Sequence, residues 1–216
     1  MSTELLMEIL IASGETLYMV TLSGLIAVAL GVPLGVILFA ARHPHLWGKQ
    51  GVYRYLGLFI NAVRSMPFII LMIACIPATR WIIGTSIGTT AAVVPLSIAA
   101  IPFVARLLDN VLQEVSNGLI EAGLAMGATS WQVLRHIVLV EALPSLIQSI
   151  AMTLINLIAY SAMAGTIGGG GLGDLAIRYG YQRFDTKIML ITTMILILFV
   201  QVFQQLGDWL AKKFSH

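Results

Sequence analysis

The chain has 216 residues, 58% of them hydrophobic and 10% charged, and a net charge of +2. Soluble domains average about 25% charged residues, so a water-soluble core is excluded. The small charge, with no basic cluster among aromatics, excludes a nucleic-acid binder. What remains is a chain built for lipid, where a helix needs about 20 mostly apolar residues to cross about 30 Å.

The N-terminal segment, MSTELLMEILIASGETL, carries Glu4, Glu8 and Glu15 and no basic residue. A secretory signal sets Lys or Arg ahead of its apolar core, so the segment is expected to be mature protein. Leu5, Leu6, Ile9 and Leu10 recur at helical spacing and predict a short amphipathic helix on the membrane surface. Residues 16–41 are the first charge-free stretch, closed by Arg42, His43 and Pro44. The second span starts near residue 56, ends near 79 and tolerates Arg64 near its inner end. There Arg64 either snorkels to the cytoplasmic interface or neutralises a partner's carboxylate. Cys75, the single cysteine, reads as a small buried hydrophobe.

Residues 81–105 form the third span, with Pro95 and Pro102 inside it. Residues 142–173 form the fourth, ending in glycines, and 188–207 the fifth. Only helices satisfy their own backbone groups one segment at a time in lipid. The expected fold is therefore all-α and polytopic, with five transmembrane helices in one domain covering 1–216. Placing the first loop in the cytoplasm sets eight Lys and Arg inside (Arg42, Lys49, Arg54, Arg64, Arg106, Arg135, Lys212, Lys213) against four outside (Arg80, Arg178, Arg183, Lys187). The N-terminus is then outside and the C-terminus inside.

Between spans three and four, about residues 106–143 stay out of the bilayer. Gly118 and Gly127 bracket a first helical piece whose one charge is Glu121. Thr129 and Gln132 fit a capping box that opens a second piece. A short helix with small residues and one carboxylate suits a groove on a partner, since a charge-assisted bond fixes its orientation. A loop helix resting on its own bundle fits the residues equally well.

The pattern Glu121-Ala122-Gly123, with Gly127 four residues on and then Ile137 and Leu139, resembles the EAA coupling loop of ABC-importer permeases. Gly123 stands where that motif usually has alanine, and Val140 where it usually has proline. Further segments extend the resemblance to nearly the whole chain: RSMPFIIL from Arg64, GTSIG from Gly84, YSAMAG from Tyr160, GGGLG from Gly169 and RYGY from Arg178. These are similar to the methionine ABC-importer permeases (MetI type) of the binding-protein-dependent transport system inner-membrane component family.

The resemblance implies a bacterial cytoplasmic (inner) membrane and a homodimer of permease subunits forming the pore. It also implies two ABC ATPase subunits below and a substrate-binding lipoprotein outside. ATP and Mg would sit on the ATPase partner, with no cofactor on this chain and no catalysis by it. No GxxxxGK[ST] sequence is present. Gly168, Gly170 and Gly173 formally spell GxGxxG but end an apolar span and follow no strand, so they are expected to break a helix. Coupling falls to Glu121, Ala122, Gly123, Gly127, Ala128 and Thr129.

In the fourth span, Asn156, Tyr160, Ser161 and Met163 are polar, aromatic or polarizable in aliphatic company. They are candidates to line the path, with packing at a dimer interface as the other reading. A permease of the same class for another small solute, or an ATP-independent channel or carrier, are the alternatives.

Overall fold

The computed structural model describes residues 3–214, which are helical with no strand among them. The first helix, α1 (Thr3–Arg42), is one unbroken rod of 40 residues, about 60 Å long at 1.5 Å per residue. This corrects the expected surface helix followed by a separate span. The Ser13 hydroxyl donates to the Ile9 carbonyl at 2.7 Å, and Thr16 to Ala12 at 3.0 Å. Polar residues that might have ended a helix are thus satisfied within it. Ile9 and Ala12 pack on Leu172, Leu175 and Ile188, with Leu5 beside them, so part of the apolar face predicted for the lipid surface meets protein, while Leu6 and Leu10 stay exposed.

The second span is not one straight helix. α2 (Gln50–Ser65) and α3 (Phe68–Ala74) meet at 103°, and α4 (Ile76–Ile83) follows. The bend lies at Met66-Pro67. A proline disfavours helical backbone in the residue before it, and Met66 is extended at φ −76°, ψ 130°.

α5 (Thr89–Leu112) starts later than the expected third span, after a turn at 84–88. It also runs on past Arg106, which pairs with the fully buried Asp109 at 3.2 Å, one turn along the same helix. The segment between spans is accordingly shorter than expected, 113–142. Among the described residues, four helices are long and apolar enough to cross a membrane, and a fifth span results if the bent α2–α3 pair counts as one.

The central contact is α1 against α5. Gly31 and Gly35 form a GxxxG seam that lets the two backbones approach closely. A Cβ on Gly31 would stand 2.7 Å from Val104 Cβ, and one on Gly35 2.7 Å from the Ala105 carbonyl oxygen. Deeper in this core, Met19, Val20, Leu96, Val104, Leu157 and Ile158 are buried together.

After α5, α6 (Asn117–Ala125) and α7 (Ser130–Val133) form the corner of the 113–142 segment. A π-helical stretch (Leu134–Val138) and α8 (Leu139–Glu141) lead into α9 (Leu143–Gly165). Pro144 sits in the first turn of α9, where its missing N–H costs nothing.

The expected fourth span ends early, at Gly165. The chain turns back through 166–170 into α10 (Gly171–Leu175), a second π-helical stretch (Ala176–Tyr181) and finally α11 (Thr186–Phe214). The GxGxxG glycines lie at this turn. The Gly171 amide donates to Glu15 Oε2 at 2.7 Å and the Leu172 amide to Thr16 Oγ1 at 2.9 Å. The group that sits on the Gly171 amide is the chain's own carboxylate. The bundle thus has two ends, one built on 113–142 and one on the glycine turn.

Candidate functional site

Ser116 caps α6, its hydroxyl accepting the Gly118 amide at 3.3 Å. The helix stops at Gly127, where φ is +85°, a conformation open to glycine and costly for side chains with a Cβ. Thr129 then opens α7 with the expected capping box. Thr129 Oγ1 accepts the Gln132 amide at 3.3 Å, and Gln132 Oε1 accepts the Thr129 amide at 2.8 Å.

These two stops fold α6 back on the following helix. Ile120 and Gly123 turn inward and are buried, while Glu121, Ala122, Met126, Gly127 and Thr129 are exposed and Ala128 is half-buried. Glu121 has no salt bridge among the described residues. Met126 is 80% exposed and Trp131 62%. A carboxylate without an ion-pair partner beside bare apolar side chains is the composition of a docking surface.

Gly123 explains its own departure from alanine. A Cβ there would lie 2.7 Å from Ile137 Cδ1 and 3.1 Å from Val133 Cγ2, so bulk on the second helix fills the space a methyl would take. The corner is joined to the bundle through Ile120, Val133, Leu134 and Val138, which pack with Phe39 of α1 and Leu108 and Leu112 of α5.

The four α9 candidates divide. At 100° per residue, Asn156, Tyr160 and Met163 share one helix face. Met163 is 45% exposed, and Asn156 and Tyr160 are half-buried. Ser161 points the other way. It is 1% exposed and donates to the Ile158 carbonyl at 2.7 Å, so it belongs to the core and not to that face. Tyr160 stacks on Phe68 of α3, with ring centroids 4.5 Å apart and planes 6° from parallel.

Beside that stack a cavity of about 150 Å³ is lined by Arg64, Phe68, Leu71, Ala99, Phe103 and Tyr160. Arg64 thus borders a cavity between helices. Its guanidinium carbon lies 5.8 Å from the centroid of Phe103, which is nine residues from the end of α5, or about 14 Å along its axis.

Residues overlooked in the sequence join it here. Arg54, Asn61, Arg64 and Ser65 lie along one side of α2 and all are exposed. Their spacing of 7, 3 and 1 in an otherwise apolar helix was a readable signal. Arg54 fell ahead of the expected start near residue 56, and Asn61 and Ser65 are uncharged, so hydropathy did not mark them.

The family of binding-protein-dependent transport system inner membrane components matches residues 31–216. The chain belongs to this family. It is 52% identical over 208 residues to the probable D-methionine transport system permease protein MetI of Vibrio cholerae, covering 96% of this chain and 92% of that one. The corresponding protein of Haemophilus influenzae is 51% identical, covering 95% and 96%. Among solved structures, a chain from the MetNI methionine ABC transporter in inward-facing conformations superposes with a TM-score of 0.98 at 41% identity, and the match covers all of both chains.

Proposed function

We infer that the chain is the permease subunit of an ABC importer for methionine, two copies forming the translocation path. The observation that carries this reading is the 113–142 corner. It holds an unpaired Glu121 on a capped helix whose buried side is locked to α1 and α5. In this reading the corner faces the cytoplasm and α6 sits in a groove of an ABC ATPase that binds ATP and Mg. Seven basic residues lie toward the 113–142 end (Arg42, Lys49, Arg54, Arg106, Arg135, Lys212 and Lys213) and four toward the glycine end, a bias that supports the orientation.

The work is conformational. ATP binding draws the two ATPase subunits together, and each α6 moves with its groove. Because Ile120, Val133 and Val138 pack on the ends of α1 and α5, the displacement passes into the bundle and opens the path toward a binding lipoprotein outside. Hydrolysis reverses it. Glu121 orients the contact, Ala122 allows close approach to the groove, Gly123 lets α6 pack on the second helix, and Gly127, Ala128 and Thr129 make the turn. On the path, Asn156, Tyr160 and Met163 face the substrate, and Ser161 has no part.

The test is affinity purification in mild detergent followed by reconstitution. The expected result is a complex of two permease and two ATPase chains that imports methionine only with ATP and a loaded binding protein. Purification without an ATPase, or ATP-independent uptake, would overturn the reading.

A further inference from the structure

Arg64 is a guanidinium exposed on α2, well inside the bundle's length, with no carboxylate in salt-bridge reach among the described residues. Cations at such depth face a bundle interior or a watered cavity, because lipid does not solvate them. On the same side Asn61 stands one turn away and Ser65 beside it, both exposed, with the exposed Leu58 one turn further back. A guanidinium, an amide and a hydroxyl clustered at this end of α2 suit a watered cavity better than acyl chains.

Around the guanidinium the cavity changes character within a few ångströms. Phe103 lies under the charge, and the Phe68–Tyr160 stack closes one wall. A fixed cation beside flat aromatic surface matches a small zwitterion with an apolar side chain. A guanidinium holds a carboxylate by two parallel N–H···O bonds, and a thioether sits well at an aromatic edge.

We propose that Arg64 is a binding residue of the translocation path that receives the α-carboxylate of the amino acid after its release from the binding protein, while the Phe68–Tyr160 stack receives the side chain. The proposal rests on the importer reading given above. It assigns Arg64 a step after docking, so its loss acts on turnover and not on recognition of the loaded binding protein.

The test uses the reconstituted complex with its ATPase and binding protein, comparing wild type, Arg64→Lys and Arg64→Gln. Arg64→Gln is expected to lower the maximal rate of methionine uptake at least tenfold. The affinity for loaded binding protein and the subunit stoichiometry should stay unchanged. Arg64→Lys, which keeps the charge without the fork, should fall between. Wild-type uptake by Arg64→Gln overturns the proposal. So does loss of assembly in both variants, which would make Arg64 a packing residue between subunits. Failure of the importer reading shows separately, because wild type would then import no amino acid at all.

Discussion

The carboxylate of Glu15 and the amide of Gly171, 156 positions apart in sequence, meet at 2.7 Å. This bond ties the start of α10 to α1 and closes the glycine end of the bundle. A hydrogen bond to a charged group contributes about 1.5–3 kcal/mol. Glu15→Ala should therefore speed amide exchange at Gly171 by roughly tenfold or more, since about 1.4 kcal/mol is a factor of ten. Glu15→Gln, which keeps an acceptor oxygen, should speed it less. Equal protection in wild type and Glu15→Ala would show that the turn is held by packing alone.

At the opposite end, Glu121→Ala and Gly127→Pro should separate ATP hydrolysis from uptake. The first removes the exposed carboxylate, and the second demands a φ near −65° where the chain has +85°. Hydrolysis without import is expected in vesicles containing either variant. Full transport by both, at normal assembly, would count against coupling through α6.

Gly123→Ala should cost about 1–3 kcal/mol by overpacking, because its new methyl meets Ile137 Cδ1. Ile137→Val removes that atom. Thermal melts of the two single variants and the double variant are expected to be non-additive, with the double recovering part of the loss. Strict additivity would mean that the two residues do not share the space.

Gly35→Ala is expected to melt lower than wild type, because its methyl would press on the Ala105 carbonyl and the Leu108 side chain in the α1–α5 seam. Gly14 lies in the same helix with nothing within 4 Å of an added Cβ. Gly14→Ala should raise stability by about 0.5–1 kcal/mol, the difference in helix cost between the two residues. A matching response at both positions would remove the seam from the account.

Tyr160→Phe keeps the stack on Phe68, and Tyr160→Ala loses it. The alanine variant should alter uptake kinetics with assembly intact, and the phenylalanine variant should stay close to wild type. If alanine leaves the kinetics unchanged, the ring packs and does not line the path.

The caps and turns of the 113–142 corner were legible because their causes are local. Thr129, Gln132 and Gly127 act within five positions of one another. Apolar runs likewise located most of the membrane helices. What hydropathy missed was geometry within an apolar run. The bend at Met66-Pro67 leaves composition unchanged, although the proline was in plain view. The continuity of α1 and the burial of Ile9 depend on α10 and α11 lying beside it, which no pattern inside residues 3–42 reports. Ser161 was misplaced for a related reason. Its hydroxyl suggested a watered face, yet the Ile158 carbonyl one turn back satisfies it inside the core. Arg64 needed three helices in position before its surroundings existed.

The π-helical stretch Leu134–Val138, where the Leu139 amide reaches back five residues to Leu134, is equivalent to one inserted residue in the ladder. One residue is about 100° of rotation. Upstream and downstream of that bulge, the same rod presents its stripes out of phase, so α7 and the Asn156–Tyr160–Met163 face of α9 point in directions that a regular helix would not allow. Deleting a single residue there would restore an ideal ladder and turn one face away from the other, and so, on the importer reading proposed above, the irregularity itself sets the angle at which the engine meets the gate.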